Sequence, residues 1–166
     1  MKTIKSIAEL EKVLNKKILS SMKSVGKEGE RKLKESVQEN VYNTYIPKYY
    51  RRTGDLKKSV SKEVRQSGTL TSLRIFHDIG KMRQIAPTSN YRMGTHHSTV
   101  QNYSPQEYAY FVPTVIEEGT TGRIFGEGPF TRPRRYFSKF SQKFKAEFNE
   151  SLKRELIRNG LTIRKG

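Results

Sequence analysis

The chain contains no cysteine. That absence excludes a disulfide framework and any thiolate metal site. It also contains no apolar run near the roughly 20 residues that a bilayer span requires. The basic start, Met1-Lys2-Thr3-Ile4-Lys5, leads into Glu9 and Glu11 rather than into an apolar block, so a secretory signal is not expected. The expectation is a protein made and used in the cytoplasm, with no membrane partner. Apolar residues are scarce too, at 33%; adding the 12 glycines still leaves the chain below the roughly 45–50% usual for globular domains. Leu, Ile, Val and Phe nevertheless number 38 of the 166 residues, above the level of under about 20% that marks disorder. One domain spanning 1–166 with a modest core is expected, part of its stability coming from neighbouring subunits.

Acidic residues are the next shortage. There are 16 Asp and Glu against 33 Lys and Arg, for a net charge of +17. The excess is spread out. Residues 1–40 carry ten basic and six acidic side chains, residues 41–132 thirteen and seven, and residues 133–166 ten and three. Such a balance favours nucleic acid or acidic protein surfaces as partners, or serves solubility alone.

The first forty residues read as a helix over 6–41. Ser6-Ile7-Ala8-Glu9 fits a capping box. Ile7, Leu10, Val13, Leu14, Ile18, Met22 and Val25 recur at steps of three and four and form one apolar stripe, continued by Leu33, Val37 and Val41. Gly26 and Gly29 are candidate bends or breaks. Glu28/Lys32 and Glu30/Lys34 are spaced to pair. Pro47 biases Ile46 to an extended form. Thr53-Gly54-Asp55-Leu56-Lys57-Lys58-Ser59 reads as a short capped turn of helix with Thr53 as cap. Two strands, Ser59–Gln66 and Leu70–Asp78, form a hairpin over 59–78, turning at Ser67-Gly68-Thr69. Residues 79–104 are rich in turn formers and read as an extended loop or arm. Tyr108–Ile116 fits a strand or a short helix with a tyrosine-rich surface. Gly119–Gly128 is a glycine-rich loop, and Pro129 to Pro133 a rigid entry to a C-terminal helix over 133–159. In that helix Tyr136, Phe140, Phe144, Phe148, Leu152 and Leu156 repeat every four residues, with Phe137 and Ile157 alongside. A step of four drifts by about 40° per repeat, so the stripe winds slowly. Asn159-Gly160 is a C-cap signal.

No convergent catalytic set emerges. The histidines are His77, His96 and His97; the last two are adjacent, and no HExxH pattern or carboxylate cluster accompanies them. The 119–128 segment lacks both the GK[ST] ending of a P-loop and the GxGxxG order. Glu117 and Glu118 are adjacent rather than facing. The phenylalanine series sits at helical spacing, which reads as packing rather than a ligand box. Tyr45, Tyr49 and Tyr50 beside Lys48, Arg51 and Arg52 could stack on a nucleic acid strand, though a packed connector is the default. No catalytic residue, metal or cofactor is expected.

The stretch Tyr49-Tyr50-Arg51-Arg52-Thr53-Gly54-Asp55-Leu56-Lys57-Lys58-Ser59 resembles the aromatic-x-x-x-TG-x-L-x-x-S signature of the small tail-component family of tailed bacteriophages, which includes neck, tail-completion and head–tail joining proteins. Tyr108-Ala109, Phe111-Val112 and Glu118-Gly119-Thr120 look like its YA-x-aromatic-V…E-x-GT block. Pro129-Phe130 and Pro133 match its proline step before the last helix. Pro113-Thr114-Val115-Ile116 stands as an insertion within that block, and the long 79–104 segment is also a departure. The motif has a physical role of its own: Gly54 permits a tight turn, Thr53 caps, Leu56 anchors on the core, and Ser59 opens the strand.

The resemblance implies an α+β fold in which a small twisted antiparallel sheet is packed by a long N-terminal helix and a C-terminal helix, with long irregular loops. It implies a non-enzymatic virion protein acting in the neck, present in the host cytoplasm during assembly. A homo-oligomeric ring follows from closing heterologous contacts, six copies by phage symmetry, with DNA passing through its channel. Connector and tail-terminator or tail-tube proteins are the implied partners. Candidate inter-subunit contacts are Tyr91 and Tyr103 in the 79–104 segment, Tyr108, Tyr110 and Phe111, and Gly119, Thr120, Arg123 and Phe125 in the glycine-rich loop. The rival expectation is a basic nucleic-acid-binding protein.

Overall fold

Helix α1 (Ile7–Val37) starts where the Ser6 hydroxyl accepts the Glu9 N–H at 3.2 Å, as the capping pattern requires. The computed structural model describes residues 6–44, 53–82, 105–119 and 132–161, with only the backbone described for 105–108. After Val37 the helix widens into a π-helical turn, Gln38–Tyr42, which ends as the Asn43 N–H bonds to the Gln38 carbonyl at 2.9 Å. Helix α2 (Asp55–Lys58) is a single turn. Strands β1 (Val60–Ser67) and β2 (Leu70–His77) form a two-stranded antiparallel hairpin, and a 3₁₀ turn follows at Ile79–Lys81. Helix α3 (Pro105–Glu118) and helix α4 (Tyr136–Arg158) complete the order. The architecture is α+β: a long N-terminal helix, a small sheet and a C-terminal helix.

The hairpin turn is Gly68-Thr69. Gly68 has φ +57°, and Thr69 is not among the described positive-φ residues. A positive φ at the first central residue alone is the sign pattern of a II′ turn, whose twist matches that of the strands.

The described residues gather into two compact units. The first holds residues 6–32, 62–76 and 142–161. Gly26 and Gly29 do not break α1, which runs on through both. They are points of close approach instead. A Cβ on Gly26 would stand 2.9 Å from Leu73 Cδ1; one on Gly29 would stand 2.2 Å from Ile75 Cδ1 and 2.8 Å from Phe144 Cζ. Two missing side chains therefore let the hairpin and α4 settle on α1, an effect that outweighs the helix-propensity cost of about 1 kcal/mol per glycine.

In the same unit Phe144 and Ser151 are buried, while Phe148, Leu152 and Leu156 are only half-buried. The period-four stripe drifts off the packed side, as its geometry requires, and a step of seven returns to within about 20° of Phe144, at Ser151. Lys32 pairs with Glu28 at 2.9 Å and with Glu147, Arg154 pairs with Glu28 at 2.8 Å, and Glu30 pairs with Lys62. The Lys32 hydrogen bond is the largest influence on Glu28 and on Glu147, and both carboxyls are held below the usual range. Helix α4 ends in a Schellman motif. Gly160 has φ +75°, its N–H bonds to the Ile157 carbonyl at 2.9 Å, and the Leu161 N–H reaches the Leu156 carbonyl at 3.0 Å. The Gly160 carbonyl then accepts from Lys17 Nζ at 3.0 Å, and Asn159 Nδ2 donates to the buried Ser21 hydroxyl at 2.9 Å.

The second unit holds residues 33–44, 53–61, 77–82, 105–119 and 132–141. Its core is Leu33, Val37, Leu56, Val60, Ala109, Ile116, Tyr136 and Phe140. Each fully buried aliphatic side chain of this kind contributes about 1.5–3 kcal/mol.

Candidate functional site

The TG-x-L-x-x-S stretch builds a tight corner. Gly54 adopts φ +76° and occupies the cap position of α2, while the Thr53 hydroxyl accepts the Asp55 N–H at 3.3 Å. The Lys58 and Ser59 N–H groups close the turn on the carbonyls of Gly54 and Asp55 at 3.0 and 2.8 Å. A Cβ at residue 54 would be strained by φ alone. Leu56 is 4% exposed, as its role as an anchor requires. The cap itself is shared, since Thr53 supplies the acceptor and Gly54 the geometry.

Ser59 is the residue that gives the corner its purpose. Its hydroxyl donates to the Leu56 carbonyl at 2.8 Å, and its oxygen lies 2.7 Å from His77 Nδ1. With the serine proton committed to Leu56, Nδ1 is the donor to Ser59. His77 Nε2 is then free to accept, and the Tyr136 hydroxyl donates to it at 2.9 Å. The ring of Tyr136 meets the imidazole edge-on at a centroid distance of 5.6 Å. The Ser59 carbonyl also accepts the Asp78 N–H at 2.7 Å. One hydrogen-bonded chain thus joins the α2 corner, the last residue of β2 and the first residue of α4. Burial pushes His77 down to about 4 and pushes the Tyr136 phenol well above its usual value. Ser59 is fully buried, so its hydroxyl meets no solvent.

Glu117 provides a second joint. Its carboxylate accepts the Phe137 N–H at 2.8 Å and the Ser138 N–H at 2.9 Å, and it also accepts the Ser138 hydroxyl. A negative charge on the free amides of the first turn of α4 is favourable both as a cap and against the helix dipole. The Arg134 and Arg135 N–H groups bond to the carbonyls of Ile116 and Glu117 at 3.0 and 3.1 Å. Arg135 takes a positive φ of 47° to do so. The Ser36 hydroxyl donates to the Tyr136 carbonyl at 2.7 Å. The sequence alone placed Glu117 only as one of two adjacent carboxylates. Its distance from Tyr136 along the chain carries no pattern that marks a cap.

The structure brings Thr53, Gly54, Leu56 and Ser59 together. The segment Tyr108–Ile116 is helical, part of α3, with Pro113 inside it. On α3 Tyr110 is 61% and Phe111 40% exposed, their rings edge-to-face with centroids 5.8 Å apart. Gly119 serves to stop α3: it has φ +74°, and its N–H bonds to the Val115 carbonyl at 2.9 Å. The side chain of Tyr108 lies outside the described residues, as do Tyr91, Tyr103, Thr120, Arg123 and Phe125, the Tyr45/Tyr49/Tyr50 patch, and His96 and His97. Among the described residues no group of three or more His, Asp or Glu side chains could hold a metal ion, and no helix is long and apolar enough to cross a membrane.

The α+β frame and its corner motif are both present as the sequence led one to expect. A family model described as YomN matches residues 6–159, and the chain belongs to this phage-associated YomN family. The phage origin inferred from the motifs stands at that level. No curated protein and no solved structure matches the chain significantly.

Proposed function

We propose that this protein is a structural, non-enzymatic component of the tailed-phage neck, completing the tail or joining it to the head. Copies close side to side into a ring, six by phage symmetry, around the channel through which DNA passes. The partners are the connector above and the tail-terminator or tail-tube protein below. The protein acts in the virion and is present in the host cytoplasm during assembly.

The observation that carries this reading is the exposed Tyr110 ring on α3. Aromatic side chains are enriched at protein interfaces and anchor them. A monomer gains nothing from leaving most of the Tyr110 ring, 61% exposed, in water. Membership of a phage-associated family supplies the setting.

The test is sedimentation of purified protein alone and mixed with the connector and tail proteins of its own phage. The wild type joins one of these partners. The variant Y110S keeps its melting temperature and stays unjoined. A wild-type protein that joins neither partner overturns the reading.

A further inference from the structure

We infer that the face of α1 carrying Lys12, Lys16, Lys23 and Lys27 is a sequence-independent landing surface for the phosphate backbone of double-stranded DNA. The inference stands apart from the neck reading, because it concerns the protein on its own. At 100° per residue the four lysines fall within an arc of about 60° along one side of the helix. All four are exposed, whereas Ser21, Met22, Val25 and Gly29 on the other side are buried.

None of the four is ion-paired among the described residues, two acids of the helix are engaged elsewhere, and the exposed Glu11 lies about 100° off the row. Glu28 is held by Lys32 and Arg154, Glu30 by Lys62. Glu9, three residues before Lys12 at the helix start, shares that side of the helix. The sequence places six acids in its first forty residues, but the fold turns two of them, Glu28 and Glu30, to its own cations, so the lysine row keeps a net positive charge.

The shape of the row fits a linear polyanion. Lys12 to Lys27 spans about 22 Å of helix, with gaps of about 6, 10 and 6 Å. That length of duplex axis displays roughly 13 phosphates. Every member is lysine, a compact charge on a flexible stem. A partner with carboxylates at fixed points would favour the bidentate fork of arginine. Point charges that accept any register suit a backbone that presents the same group at every step.

Fluorescence anisotropy of a labelled 20-base-pair duplex, titrated with the full chain between about 50 and 300 mM salt, tests the inference. Four phosphate contacts give the stripe a share of about −3.6 in the slope of log K against log salt. The variant K12Q/K16Q/K23Q/K27Q is expected to bind at least about 10-fold more weakly, with a slope shallower by about 3. The charge-keeping variant K12R/K16R/K23R/K27R retains binding. The variant K143Q/K145Q, which removes two exposed lysines from α4, stays within about twofold of wild type. A circular dichroism melt checks that each variant is folded. Equal affinity and slope for the glutamine variant and wild type would overturn the inference. So would a wild type that ignores the duplex at about 50 mM salt, or one that holds polyglutamate in its place.

Discussion

The Tyr136 hydroxyl lies 2.9 Å from Nε2 of His77 and, with Nδ1 donating to Ser59, is the donor of that bond. A donor at Nε2 requires a lone pair there, so the ring is neutral with its proton on Nδ1, facing Ser59. Tyr136→Phe keeps the ring and removes the donor. It leaves Nε2 buried without its partner, which costs about 1–3 kcal/mol. Urea unfolding of the variant beside wild type reads this as a lower midpoint at unchanged slope.

Acid should loosen the fold through the same histidine. Its folded value is lowered to about 4 from 6.5 by burial. Between those values the unfolded chain binds the proton and the folded one does not. Stability from this group is therefore complete above about pH 6.5, falls as pH drops towards 4, and levels off below, for a total on the order of 3 kcal/mol. Unfolding free energies measured from pH 7.5 to 4 should show this decline. His77→Gln should flatten it while lowering stability at pH 7.

Gly29→Ala decides between two opposed effects. Helix propensity alone predicts a gain of about 1 kcal/mol. The Cβ, however, would stand 2.2 Å from Ile75 Cδ1 and 2.8 Å from Phe144 Cζ. Overpacking of this kind costs about 1–3 kcal/mol, so the net change is a loss. Gly26→Ala meets Leu73 Cδ1 at 2.9 Å and should lose less. Thermal melts of the two variants give the order directly; a stabilised Gly29→Ala would show that the hairpin yields.

Glu117→Ala removes the cap from α4. The Phe137 and Ser138 amides lose their acceptor, and the expected loss is about 1–2 kcal/mol. Hydrogen exchange localises it: the first turn of α4 loses protection before the rest of that helix does.

Local pattern carried much of the fold. The stripe of α1, the Ser6 cap, the hairpin with its Gly68 turn and the Asn159-Gly160 stop all rest on neighbours in sequence, and all appear where the periodicity and caps put them. The TG-x-L-x-x-S corner was legible for the same reason. What escaped depended on contacts between distant segments. Gly26 and Gly29 read as helix breakers because propensity knows nothing of Leu73, Ile75 and Phe144. His77 stood out only as one of three histidines without a metal pattern, and its partners Ser59 and Tyr136 lie 18 and 59 residues away. Glu117 is separated from the helix it caps by the glycine-rich segment. Helix α3 was ambiguous because Pro113 and the aromatic run speak against a helix, while Gly119 ends one.

The bonds from Arg134 to Ile116 and from Arg135 to Glu117 shut the base of the intervening stretch like a clasp. Once the two ends are fastened, closing a loop between them becomes costlier only with the logarithm of its length, about 0.6 kcal/mol per doubling. A shorter or longer connection between residues 119 and 132 is therefore expected to leave the helices on either side in place.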